Sequence, residues 1–136
     1  MTDNSKDRLH DVFFYGLYMD PEILRQKGVD PRNPRVAYAN NYKLKIGNKA
    51  TLLRAVGERA HGIVYSLTHS EIDSLYRGSG LHEYLPEALS IKAGDESFPA
   101  LCCNLIEPPA ESESNAEYAG RLKAVMSKLG VPGKMD

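Results

Sequence analysis

The residues best placed to do chemistry are Phe13-Phe14-Tyr15-Gly16-Leu17-Tyr18-Met19-Asp20-Pro21. An apolar run meets one glycine and gives way within a few residues to an aspartate and a proline. Asp20 can cap the first turn of a helix, and Pro21 suits its first position. The segment therefore reads as strand, tight loop and helix start. Gly16 stands where a backbone approaches a ligand closely. Loop amides and the positive end of a helix attract carboxylate or carbonyl oxygens. A small anionic or amide ligand is the chemistry this arrangement points to.

Other reactive side chains offer less. Cys102 and Cys103 are adjacent, so in a strand their sulfurs point to opposite faces, and they read as small apolar residues. Two sulfurs with no further partner do not make a zinc site. His10, His61, His69 and His82 have no spacing that would put two on one helix face. No metal site is expected from these residues. A net charge of −1 without a basic run gives no field for nucleic acid. No apolar stretch is long enough to span a bilayer, and residues 1–11 are polar rather than signal-like, so no membrane partner and a cytoplasmic location are expected.

The elements that must position the loop follow from periodicity. With 136 residues, 42% of them hydrophobic, the chain fits one domain over 11–136 behind a flexible stretch at 1–10. Strands are expected at 11–15, 35–46 and 60–67, with a short one at 51–54 and a turn-rich connector at 30–34. A short helix is expected at 21–27. Thr68-His69-Ser70-Glu71 has capping-box form, and Ile72, Leu75 and Tyr76 follow as an apolar stripe. The stretches 87–92 and 98–105 flank Gly94-Asp95 as a hairpin. Ser114-Asn115-Ala116-Glu117 reads as a second capping box, opening a helix whose stripe is Tyr118, Leu122, Val125 and Leu129. This order has too few β-α alternations for a doubly wound sheet. It predicts an α+β fold: a small mixed, mostly antiparallel curved sheet or barrel with flanking helices.

Four features in order resemble the gamma-glutamylcyclotransferase-like family. They are the Tyr15-Gly16 loop, the strand Gly62-Ile63-Val64-Tyr65-Ser66-Leu67, the helix end Leu75-Tyr76-Arg77-Gly78-Ser79-Gly80, and the helix from Glu117-Tyr118 to Pro132. The family pattern reads Y-G-[ST]-L-x, then G-V-x-Y-x-L, then L-D-x-x-E-G with an aromatic soon after. The resemblance spans about residues 12 to 132 and implies a small barrel with one cavity beside the first loop. Active members convert gamma-glutamyl amines into 5-oxoproline and the free amine without metal or cofactor. The substrate's own amine attacks its gamma-carbonyl, and a carboxylate serves as base and returns the proton.

The chain departs from that pattern at the catalytic position. The resemblance lays Ser79 where the family has its glutamate, and a serine hydroxyl without a neighbouring base cannot take the proton. Leu17 stands where a hydroxyl residue is usual, and Tyr18 where a smaller one is common. Glu83, beyond Ser79, is the alternative base, whereas Glu71 and Asp73 are accounted for by capping and the helix dipole. Tyr84 falls where the family has an aromatic in the cavity wall. The largest polar-lined pocket is expected to touch Gly16, Leu17 and Tyr18, with Ser79 or Tyr84 closing it. Three functions are then open: a cavity of Tyr15, Gly16, Leu17, Tyr18 and Tyr84 binding a small amide or carboxylate without the standard turnover; an enzyme using Glu83; and an interaction domain presenting Tyr18, Tyr38 and Tyr42.

Overall fold

The computed structural model describes residues 5, 7–76 and 83–132. Five strands alternate with three helices: β1 (Leu9–Phe14), α1 (Pro21–Gln26), β2 (Arg32–Ile46), β3 (Ala50–Thr68), α2 (His69–Tyr76), β4 (Tyr84–Ala93), β5 (Glu96–Leu105) and α3 (Ala116–Leu129). A 3-10 turn, Leu17–Met19, joins β1 to α1. The strands close a barrel in the order β1-β3-β2-β4-β5. All neighbours are antiparallel except β1 and β5, which meet in parallel through Val12 and Leu101. The expected small mixed barrel with flanking helices is therefore the architecture.

Alternation explains why Val12-Phe13-Phe14 of β1 and Ile63-Val64-Tyr65 of β3 read as unbroken apolar runs. Successive strand side chains face opposite ways, and here both faces are covered. Phe13, Ala37, Val64, Ile91, Ala100 and Cys102 come from all five strands and fill the barrel. Val12, Phe14, Ile63, Tyr65 and Leu67 point outward, beneath Leu24, Leu75, Leu122 and Met126 of the helices. The interior is narrow, and small residues keep it closed. A Cβ at Gly62 would lie 2.1 Å from the Phe14 carbonyl oxygen and 2.9 Å from the Phe13 ring, so only glycine lets β1 and β3 pair here.

Several boundaries differ from the periodicity reading. β1 starts at Leu9, because Leu9 and His10 already pair with Thr68 and Leu67. β2 starts at Arg32, absorbing part of the expected connector through a register shift before Arg35 and an Asn33 at φ 54°. The stretches 51–54 and 60–67 belong to one strand, β3. Its interruption is a bulge opposite Asn41, whose side-chain oxygen accepts from the Gly57 amide at 3.0 Å. That loop of extra residues destroys the alternation that would have joined the two halves. The α3 cap is Asn115 rather than Ser114, with its Oδ1 accepting from the Tyr118 amide at 3.0 Å. Leu122 and Met126 are its buried pair, flanked by the half-buried Tyr118, Val125 and Leu129.

The Thr68-Glu71 box forms as expected. The Glu71 amide donates to Thr68 Oγ1 at 3.1 Å, and the Thr68 amide donates to Glu71 Oε1 at 2.8 Å. Glu71 does more than cap. It also receives Arg32 Nη1 at 2.8 Å and the Asp30 amide at 2.7 Å. Burial alone would raise its carboxyl, but Arg32 and the amides outweigh that and hold it at about 2.

Candidate functional site

Where β1 leaves the barrel, the chain folds tightly around Gly16. The Met19 amide donates to the Gly16 carbonyl at 3.0 Å, and the Asp20 amide donates to that of Leu17 at 3.0 Å. The Leu17 amide donates to the hydroxyl of Tyr118, on α3, at 3.2 Å. A Cβ on Gly16 would meet that hydroxyl at 2.5 Å, which is why the position carries no side chain. The start of α1 is already occupied. Asp20 accepts from the Glu22 amide at 3.0 Å and pairs with Lys128 at 3.0 Å. The helix-end contribution to anion binding expected from the sequence is thus taken up inside the protein.

Beside this turn lies a cavity of about 240 Å³. Phe14, Tyr15, Gly16, Leu17 and Tyr18 form one wall, and Asn48, Lys49 and Ala50 of the β2–β3 turn form another. Tyr76 at the end of α2, Tyr84 at the start of β4, Cys103 of β5 and Tyr118 of α3 complete the lining. The rings run in sequence, Phe14 to Tyr18 at 6.0 Å, Tyr18 to Tyr76 at 6.1 Å and Tyr76 to Tyr84 at 6.1 Å. The first two contacts are edge-on, the arrangement that opposes positive ring edges to negative ring faces.

Hydrogen bonds to the backbone fix several of these rings. Tyr15 donates to the Cys103 carbonyl at 2.7 Å, and Tyr84 donates to that of Ala50 at 2.5 Å. Burial pushes the hydroxyls of Tyr15, Tyr76, Tyr84 and Tyr118 above the usual tyrosine range, so they stay protonated. Burial likewise pushes the Cys103 thiol up to about 11. At neutral pH the wall offers aromatic faces and neutral hydroxyls, with no thiolate nucleophile. Among the described lining side chains Lys49 alone carries a formal charge, and none is a carboxylate.

Of the residues singled out in the sequence, Tyr15, Gly16, Leu17, Tyr18 and Tyr84 all lie on this cavity. Ser79 lies outside the described residues. Glu83 does not line the cavity; it is exposed and paired with Lys49. Tyr38 lies 5.7 Å from His61 with the rings tilted by 51°, under the Arg59 guanidinium, and Tyr42 packs against the barrel interior. The expected largest polar-lined pocket is also corrected. A wider groove of about 400 Å³ runs past Asn40, Tyr42, Arg54 and Lys92, while the Gly16 cavity is mostly aromatic. Sequence reasoning does not single out Tyr76 and Tyr118, which fit the apolar stripes of α2 and α3, or Lys49, which sits in a turn. Among the described residues no cluster of three or more histidine, cysteine or acidic side chains could hold a metal. None of the described helices is long and apolar enough to cross a membrane.

No protein-family model matches the sequence, and no curated protein matches it significantly. Solved structures do. A structure described as gamma-glutamyl cyclotransferase superposes with a TM-score of 0.77 at 18% identity, over 92% of this chain and 82% of that one. The protein has the gamma-glutamylcyclotransferase-like fold. YkqA from Bacillus subtilis gives a TM-score of 0.75 at 22% identity over 89% of this chain, which spans only 49% of YkqA. An AIG2-like protein from Mus musculus shares the barrel more loosely, with a TM-score of 0.53 at 14% identity over 81% of this chain and 90% of that one.

Proposed function

We propose that this gamma-glutamylcyclotransferase-like chain holds a small gamma-glutamyl, amide or carboxylate ligand in the tyrosine-walled cavity without the standard cyclising turnover. The observation that carries the reading is the cavity lining itself. It has five tyrosines and one lysine, and no carboxylate among the described side chains. Cyclisation needs a group that takes a proton from the substrate amine and returns it to the leaving amine. The protonated hydroxyls and the neutral thiol do not take that proton. Ser79, which the family resemblance sets at the base position, carries a hydroxyl that stays un-ionised at neutral pH without a neighbouring base and so does not take it either. Glu83 is turned to solvent and held by Lys49. The ligand is bound without cofactor by a cytoplasmic protein with no nucleic-acid or membrane partner.

The test is release of 5-oxoproline from gamma-glutamyl-alanine, run beside calorimetric binding of the same compound. Wild type should bind and release nothing detectable, since an absent acid or base costs about 10² to 10⁴ in rate. Ser79→Glu should gain turnover and Glu83→Gln should show none. Strong wild-type turnover abolished by Glu83→Gln would make Glu83 the base and overturn the proposal.

A further inference from the structure

We infer that Lys49 makes this cavity selective for carboxylate-bearing ligands, and that Glu83 is the internal anion such a ligand replaces. The inference rests on the ligand-cavity reading above and adds to it a charge preference and a competitor. Lys49 is the one formally charged side chain among the described lining residues. Its ammonium already binds a carboxylate, that of Glu83, so the geometry for an oxygen anion at the cavity edge exists in the molecule.

The turn that carries Lys49 is fixed on both sides. The Asn48 amide donates to Glu113 Oε1 at 3.2 Å, the Gly47 amide donates to the Lys49 carbonyl at 3.2 Å, and the Ala50 carbonyl receives the Tyr84 hydroxyl. A Cβ on Gly47 would meet Pro109 at 2.6 Å, so the turn is also packed against the loop before α3. The lysine backbone is thereby held at the cavity while its side chain reaches from the aromatic wall toward solvent. Glu83, by contrast, is two-thirds exposed, with a side-chain accessibility of 66%, and Lys49 stands at 37%. Ion pairs this exposed are weak and exchange readily. Exchanging Glu83 for a ligand carboxylate leaves the number of ion pairs unchanged. The ligand's apolar body meanwhile gains the faces of Tyr18, Tyr76 and Tyr84, which the glutamate does not cover. The matching ligand is a small acid with a short apolar or amide body.

The experiment compares glutaramate with glutaramide, which differ in one carboxylate, by calorimetry on wild type, Lys49→Met, Lys49→Arg and Glu83→Gln. Lys49 is half-buried and Glu83 exposed, and thermal unfolding checks that each variant is folded. Wild type should prefer the acid by about 5-fold. Lys49→Met should erase that preference, Lys49→Arg should keep it, and Glu83→Gln should tighten the acid by about 3-fold while leaving the amide unchanged. Equal affinity for acid and amide in wild type overturns the inference while the cavity reading stands. Weaker acid binding in Glu83→Gln also overturns it, since Glu83 would then be helping to hold the ligand. Binding of neither compound by any variant removes the cavity reading itself, and this inference with it.

Discussion

Glu71, in the first turn of α2, and Glu83, just before β4, carry the same side chain on either side of one helix and are held in opposite ways. Glu71 accepts from Thr68, Arg32 and Asp30, joining α2 to β2 and to the connection that precedes it. Among the described residues Glu83 has a single cationic partner, Lys49, and it faces water. Desolvated charge is costly unless each lone pair is answered, and Glu71 meets that condition through a guanidinium and two backbone amides. The polar groups near the start of β1 are similarly committed: Arg35 donates to Asp11 at 2.7 Å and to Ser66 at 3.2 Å. Around the cavity where β1 ends, the described side chains include five tyrosine hydroxyls and the exchangeable Lys49–Glu83 pair. A carboxylate with every oxygen engaged stabilises the fold, whereas one with a single exposed partner is available for replacement.

The largest effect should come from breaking the committed side. Glu71→Ala is expected to cost roughly 3 kcal/mol at neutral pH, from a carboxyl lowered from 4.5 to about 2. The sign follows from the depressed folded value. The stabilisation is complete above the unfolded value near 4.5 and fades as pH falls toward about 2. Urea unfolding at pH 7 and pH 3 should therefore show the gap between wild type and Glu71→Ala shrinking in acid. A gap that stays constant would mean that the side chain acts by packing rather than by charge.

A smaller loss is expected at the open side, where packing rather than charge is disturbed. Gly16→Ala drives a methyl into the Tyr118 hydroxyl and should cost about 1–3 kcal/mol, with ligand binding lost as Tyr118 is displaced. Adding Tyr118→Phe removes the obstructing oxygen and should recover part of that stability. A double-mutant cycle by thermal unfolding reads the coupling, and strictly additive losses would place the clash elsewhere. The smallest effect belongs to Glu83→Gln, which should move stability by less than about 0.5 kcal/mol. A loss comparable to that of Glu71→Ala would abolish the distinction between the two glutamates.

The fold was legible wherever one local signal decided one element. Thr68 and Glu71 announced α2 because both halves of a capping box lie within a single turn, and Gly94-Asp95 announced a hairpin because the turn needs those residue types. β3 reads as two strands in the sequence because the bulge opposite Asn41 falls between stretches that each alternate correctly alone. The parallel seam between Val12 and Leu101 has no local signature at all, since it arises from barrel closure. Gly16 was legible as a point of close approach, but the group that approaches it, Tyr118, is distant in the chain. Tyr76 and Tyr118 sit on helices at positions that serve the core stripe equally well, so their spacing does not tell cavity from core. Lys49 carried no signal because a lysine in a turn is normally solvated.

The tyrosine wall also decides what light reports about this molecule. The chain has no tryptophan, and Tyr15, Tyr18, Tyr76, Tyr84 and Tyr118 are five of its eight tyrosines. Near-ultraviolet absorption, emission and circular dichroism therefore arise mainly from rings around one cavity, held at fixed mutual angles. The protein's intrinsic spectrum is a local signal from that cavity, and a molecule entering it would change the optical signature without any added dye.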